Sequence, residues 1–349
     1  MIKKIMIYIL TAALLISMPA FLISCSEQGS KFSVQSFEYF DTVTTVIGLE
    51  NDRSDFDKLS SEIMNELAVY HRLYDIYREY DGVTNLCTVN SLSNGEHRIL
   101  TVDSRITDLL LYSKEVYTLT SGRVNVAMGS VLSLWHNCRT EAISSPDSAK
   151  IPSLEALTEA SEHTDINNLV IDKESNTVFI SDPVMTLDVG AVAKGYALER
   201  VAKHFEESGV CGYVINIGGN VRAIGERPDG EKWSIGIEDP KKDSDGLLSQ
   251  IKLDGASIAT SGSYQRYYEV DGKRYHHIID PLTLMPSESF VSVSVITESA
   301  ALADVLSTAL FCMDYESGRE LIASMPEVEA MWVFTNGDQN KTDGFSDYE

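Results

Sequence analysis

Positive charge is scarce in this chain. Its 349 residues carry 28 lysines and arginines against 52 aspartates and glutamates, a net charge of −24 at pH 7. A surface that acidic repels nucleic acid and anionic headgroups, which argues against a DNA- or RNA-binding role. An anionic substrate therefore needs its own local positive site or a metal. Cysteine is scarce too: there are five, none in a CxxC pair or at metal-ligand spacing. Cys87, Cys138, Cys211 and Cys312 are scattered through the body and read mostly as small apolar core residues. The chain also lacks an internal repeat, a low-complexity tract, a long linker, a P-loop and a GxGxxG loop. What it does have is a hydrophobic content of 44%, enough for one large domain or two small ones.

The N-terminus stands apart. In MIKKIMIYILTAALLISMPAFLISC two lysines precede an apolar run from Ile5 to Ile23, which marks a secretory signal. Leu22-Ile23-Ser24-Cys25 resembles the bacterial lipobox, which implies cleavage before Cys25 and lipid attachment to its thiol. The run is also nearly long enough to remain as a membrane anchor. Either reading places the body outside the cytoplasm. The expected organisation is a signal over 1–24, a tether over 25–36 and one domain over 37–349.

Along the body, Phe37 to Leu49 is rich in β-branched and aromatic residues and predicts a strand. Phe56, Leu59, Ile63, Leu67 and Tyr70 recur at helical spacing and predict a helix over 54–70. A loop follows, then a helix over 104–119 with Gly122 just past its end; Ser153 could cap a short third helix. After Asn168 the texture turns to strands: NLVID and TVFIS suggest a hairpin, followed by GYVINIGGNVRAIG, KWSIGIEDP, SIATSGSYQRYYEVDGKRYHHIIDP and FVSVSVIT. DVGAVAKGYALERV, residues 188–201, predicts a strand, a turn and a helix reaching about Glu207, and Ala300 to Phe311 a small-residue helix. Strands and helices in blocks predict an α+β fold, a mixed sheet core with flanking helices.

Three stretches could carry chemistry. In DVGAVAKGYALERV the glycines allow close backbone approach, free N–H groups at a helix start favour anions, and Lys194 adds a point charge. An ordinary turn with a solvated lysine explains it as well. Asp304 and Thr308 in ADVLSTALF sit at i and i+4 on one helix face and could offer oxygens to a hard cation. Alternatively, Thr308 bonds back to its own helix and Asp304 is solvated. Yet that helix is apolar, and a carboxylate buried in it needs a partner. In His276-His277-Ile278-Ile279-Asp280-Pro281, neighbouring histidines on a strand face opposite ways, so one at most faces a site as acid or base.

Taken together, FDTVTTV (40–46), GRVNVAMGSVLSLW (122–135), TLDVGAVAKGYALERV (186–201), NIGGNVRAIG (216–225), WSIGIEDP (233–240), ATSGSYQRYYEVDGKRYHHIIDP (259–281) and ADVLSTALF (303–311) resemble the ApbE family, the FAD:protein FMN transferases. The resemblance covers about residues 37–349, and several long motifs in one order are far more specific than any alone. It implies an ApbE-like, T-fold-like core that binds FAD and a divalent cation, Mg²⁺ or Mn²⁺, both of which accept oxygen ligands. It implies transfer of FMN from FAD onto a threonine or serine hydroxyl of a target protein, with release of AMP. By motif position, Ala191 through its carbonyl, Asp304, Thr308 and, close by, Ser307 are the implied metal ligands. Asp188 and Lys194 are implied FAD contacts. Phe40, Tyr77, Arg123, Val124, Asn125 and Ile278 fall where the family lines its flavin and adenine pockets. His277 matches the histidine of transfer. The family commonly has aspartate where this chain has Asn125, which removes a charge from that contact. The implied partner is an exported flavin acceptor, an electron-transfer subunit or extracellular reductase, with the enzyme lipid-anchored at Cys25 on the outer face of the bacterial membrane. Two rivals share these residues: a metal-dependent FAD pyrophosphatase and a non-catalytic FAD-binding lipoprotein.

Overall fold

The computed structural model describes residues 29–93, 99–240 and 246–349. The signal segment and Cys25 lie outside the described residues. Eight strands form the central sheet: β1 (Ser30–Ser36), β2 (Thr44–Glu50), β3 (Tyr213–Ile217), β4 (Asn220–Ile224), β5 (Ser257–Gly262), β6 (Phe290–Thr297), β7 (Glu329–Phe334) and β8 (Gln339–Lys341). Their order across the sheet is their order along the chain, and every pairing is antiparallel. The α+β class is thus realised around an antiparallel sheet.

Alternation along the strands gives the sheet two apolar faces. On β3, Tyr213, Ile215 and Ile217 join one core while Val214 joins another. On β6, Val293 and Val295 face the first core and Ile296 the second. Helices α1 (Arg53–Tyr74), α2 (Ser104–Leu119), α4 (Ala193–Glu207) and α5 (Ala300–Cys312) supply the first core. The hairpin Trp233–Glu238/Leu247–Leu253 covers the other face with Trp233, Ile237, Ile251 and Leu253. A third cluster holds α3 (Gly129–Ser144) to the helix Leu154–Ser161 and to the hairpin Tyr267–Val270/Lys273–His276, through Val131, Trp135, Leu157 and Tyr268. That smaller lobe forms one wall of a cleft; α4, α5 and the sheet form the other.

Several expectations are corrected. Residues 30–36, expected as tether, form β1 against β2 with Ser36 opposite Thr44. The strand expected over 37–49 is therefore only Thr44–Glu50. Phe40 and Asp41 take φ of 55° and 49°, left-handed values that reverse the chain between the two strands. The segment before α4 is extended but in no sheet. Its Leu187 N–H and carbonyl both bond the Asn90 amide, and the Asp188 N–H donates to the Val126 carbonyl. The helix expected at 104–119 is observed with those bounds, capped by Asp103, and Ser153 caps Leu154–Ser161. Among the described residues the four body cysteines are free; Cys138 and Cys312 are buried, Cys87 half-buried and Cys211 exposed. No described helix is long and apolar enough to cross a membrane.

Candidate active site

A cleft of about 340 Å³ opens between the two lobes, lined by Phe40, Tyr77, Arg123, Val124, Asn125, Asp188, Ala191, Lys194, His277, Ile278, Asp304 and Thr308. Motifs more than 200 residues apart in sequence thus meet in one place.

Its inner wall is set by how closely α4 and α5 approach. Gly195 on α4 makes this possible: a Cβ there would overlap the Asp304 side chain and come within 2.5 Å of the Ala300 carbonyl. The Gly195 N–H donates to Asp304 Oδ2 at 2.8 Å. Gly195 lies in the first turn of α4, where backbone N–H groups have no partner within the helix, so Asp304 satisfies a donor that would otherwise be unpaired. The Ala191 carbonyl, one residue before the cap of α4, has no backbone donor among the described residues and lies at the lip of the cleft. Asp304 is 4% exposed, and its other oxygen lies 3.5 Å from Lys194 Nζ, which also donates to the Gly190 carbonyl at 3.2 Å. The buried carboxylate has the partners burial demands. Gly195→Ala is expected to force the helices apart, at about 1–3 kcal/mol of overpacking, or roughly 2–8 °C in Tm. An unchanged melting temperature by calorimetry would contradict this packing.

Thr308 sits one turn beyond Asp304 and faces the cleft; its hydroxyl is 3.2 Å from Ser261 Oγ. Ser307, expected as a further ligand, is not in the lining. It is 1% exposed, donates to the Asp304 carbonyl at 2.9 Å and meets Ser261 Oγ at 2.9 Å. The back-bonding weighed for Thr308 thus belongs to its neighbour. Oxygen donors from Asp304, Thr308 and the free Ala191 carbonyl suit a hard cation that takes its remaining ligands from phosphate and water. Among the described residues no cluster of three or more His, Cys, Asp or Glu surrounds such a position.

The two histidines part as their spacing requires. His276 ends its strand and turns inward, with Nε2 2.6 Å from the Ser287 carbonyl and Nδ1 accepting from Ile278 N–H at 3.2 Å. His277, one residue past the strand, opens onto the cleft. Its N–H donates to the Arg266 carbonyl at 3.1 Å, and Nδ1 lies 3.3 Å from that same carbonyl. A carbonyl only accepts, so Nδ1 carries the hydrogen and Nε2 keeps its lone pair. Burial, then the charges of Arg266, His276, Arg139 and Lys194, push the His277 pKa down to about 3. Its surface stays open to water in the cleft, which moderates the size of that shift but not its direction. The imidazole is neutral at neutral pH.

The remaining expected contacts divide. Val124 and Ile278 are buried apolar lining, and Phe40 packs edge-on to the His71 ring at 5.5 Å. Tyr77 stands at the rim, 56% exposed, stacked on His136 with centroids 5.2 Å apart. Asp188 accepts from the Gly190 N–H at 2.9 Å; burial raises its pKa, against that hydrogen bond and the nearby His136, Arg139 and Lys194. Arg123 and Asn125 reach the lining, but their polar groups hold the frame. Arg123 Nη1 bonds Asp280 at 3.1 Å and the Cys312 carbonyl, at the end of α5, at 2.6 Å. The Asn125 amide caps Ala127 and donates to the Thr164 carbonyl. Among the lining residues not singled out from sequence are His136, Arg139 and Arg266. One signal was available: Arg139 has no acidic residue three or four positions away on its helix, unlike Arg53, which pairs with Asp57.

A carboxylate, an ammonium, a neutral imidazole and a free carbonyl under an aromatic rim make a binding cleft for an anionic ligand with ring systems. The chain belongs to the ApbE family, whose model matches residues 33–332. Among curated relatives, an FAD:protein FMN transferase of Klebsiella pneumoniae is 32% identical over 281 residues, 78% of this chain and 84% of the relative. One of Vibrio cholerae is 30% identical over 297 residues, 85% and 81% of the two chains. Among solved structures, the ApbE protein of Thermotoga maritima superposes with a TM-score of 0.78 at 27% identity, covering 92% of this chain and 99% of the other. The flavin transferase ApbE of Vibrio cholerae gives 0.76 at 25% identity, covering 92% and 100%.

Proposed function

We propose that this protein is an FAD:protein FMN transferase that moves FMN from FAD onto a threonine or serine hydroxyl of a target protein and releases AMP. The observation that carries the reading is the convergence of Asp304, Thr308, Lys194 and the free Ala191 carbonyl with His277 in one cleft. The names of the relatives supply the reaction class.

Asp304, Thr308 and the Ala191 carbonyl would hold Mg²⁺, or Mn²⁺, which when bound neutralises charge on the diphosphate of FAD. Lys194 presents its ammonium to the phosphoryl oxygens from the same wall. His277 Nε2, with Nδ1 fixed by the Arg266 carbonyl, accepts the proton of the target hydroxyl. That oxygen bonds to the flavin-side phosphorus as the bond from this phosphorus to the bridging oxygen breaks. The bridging oxygen and its electron pair leave on AMP. The aromatic and apolar lining of Phe40, Tyr77, Val124 and Ile278 takes the rings.

The acceptor we propose is an exported flavin-bearing protein, an electron-transfer subunit or extracellular reductase, met at the outer membrane face by an enzyme anchored through lipid on Cys25. The leader MIKKIMIYILTAALLISMPAFLISC motivates that anchoring; a mature protein whose N-terminal peptide carries no lipid by mass spectrometry would refute it. The transfer reading is tested by incubating the protein with FAD and Mg²⁺, with and without a candidate acceptor. Expected are acceptor-bound flavin fluorescence in a denaturing gel and AMP in equal amount. Free FMN without acceptor at the same rate makes it a pyrophosphatase instead, and tight FAD binding with no turnover makes it a carrier.

A further inference from the structure

In so acidic a chain, cations that form no ion pair stand out. Of those lining the cleft, Lys194 pairs with Asp304 and Arg123 with Asp280. Arg139 and Arg266 line the same cleft and pair with no carboxylate among the described residues. Both are held by neutral groups. Arg139 Nη2 lies 3.1 Å from His136 Nδ1, and Arg266 Nη2 donates to the Asp41 carbonyl at 2.7 Å. The two guanidiniums are near enough to repel: burial, then Arg266, lowers the Arg139 pKa, against Tyr77 and Asp188, which act the other way. Asp188 acts on Arg139 across the cleft but forms no ion pair with it, so both guanidinium forks remain open to an anion.

The surroundings identify the anion. Arg139 lies one helical turn from His136, whose ring stacks with the exposed Tyr77 at the rim. The Arg266 carbonyl receives the His277 N–H, so its guanidinium is carried by the residue that seats the base. An aromatic platform beside two free guanidinium forks suits an aromatic base that bears a phosphate. This set belongs to α3 and the bend before the strand Tyr267–Val270, a different wall from the Asp304 and Lys194 set on α4 and α5.

Given the transfer reaction above, we propose that Arg139 and Arg266 clamp the phosphate of the leaving nucleotide, a purine nucleoside 5′-monophosphate whose base stacks at Tyr77 and His136. When the phosphorus–oxygen bond breaks, the bridging oxygen stays with this phosphate and charge accumulates there. The clamp stabilises that charge and makes the monophosphate a competitive product inhibitor.

The test is equilibrium binding of AMP and adenosine to the wild-type protein, with EDTA present so that the Asp304 wall is without cation. FAD binding is measured in parallel with Mg²⁺ present. AMP is expected to bind at least about 10-fold tighter than adenosine. Arg139→Gln and Arg266→Gln are each expected to remove most of that preference while leaving adenosine within about twofold, and Arg139→Lys to restore part of it through charge alone. Thermal melting checks each fold. Equal affinity for AMP and adenosine in the wild type, or unchanged AMP binding in both glutamine variants, overturns the clamp. If FAD binds in those cases, only the clamp falls. If neither FAD nor AMP binds, the transferase reading falls with it.

Discussion

Asp304→Asn is expected to reduce FMN transfer by about 10³-fold while the protein stays folded. The magnitude follows from losing an anionic ligand on a cation that stabilises several kcal/mol of charge in the transition state. Asparagine is the informative substitution because the Asp304 carboxylate does two things. Oδ2 accepts the Gly195 N–H that ties α4 to α5, and Oδ1 faces Lys194 in the cleft. The amide oxygen of Asn preserves the first role and removes the charge needed for the second. Asp304→Ala removes both and leaves a buried N–H unpaired, so it is expected to lose transfer and a further 1–3 kcal/mol or so of stability. Transfer is read by flavin fluorescence on the acceptor across a Mg²⁺ titration, and stability by thermal melting. Wild-type transfer by either variant after removal of trace metal would sink the ligand assignment.

How much of this was legible in the sequence depends on the range of the interaction. Helices with a clean apolar stripe, such as 104–119, announce their bounds because periodicity and capping are local. The β1–β2 hairpin does not, because two left-handed residues at Phe40 and Asp41 break a run that propensity reads as one strand. The extended segment before α4 is likewise fixed by Asn90, nearly a hundred residues earlier, and no local pattern could show it. In the candidate site, Asp304, Thr308, Lys194 and His277 were named together through the resemblance of their motifs to one family, since each stretch alone also fits an ordinary structural role. Ser307, expected beside them, lies off the cleft lining because a one-residue step around a helix turns a side chain through about 100°, here from cleft to interior. Arg123 and Asn125 share the motif of the lining, yet only coordinates show their polar groups spent on Asp280, Cys312, Ala127 and Thr164. Arg139 and Arg266 become neighbours only when α3 folds against the hairpin, so their meaning is tertiary.

The second large effect is at His277, and it separates a base from a structural histidine. His277→Ala is expected to slow transfer by about 10²–10⁴-fold, the range of a positioned proton acceptor. The pH profile carries more information than the loss. A free-solution imidazole with a pKa near 6.5 is about nine-tenths protonated at pH 5.5 and could not act as a base there. In the empty cleft, burial and the cations Arg266, Arg139 and Lys194 hold His277 well below that value. A lowered pKa keeps the lone pair available as pH falls, so the acid limb of kcat/KM, which reports the free enzyme, is expected well under pH 6. Bound FAD brings a diphosphate whose negative charge offsets those same cations and favours the protonated ring. The acid limb of kcat, which reports the complex, is therefore expected at higher pH than that of kcat/KM. A metal ligand effect would not produce this split in this direction. Coincident limbs at or above pH 6.5, or a His277→Ala variant that keeps more than about a tenth of wild-type transfer, would remove His277 from the role of base.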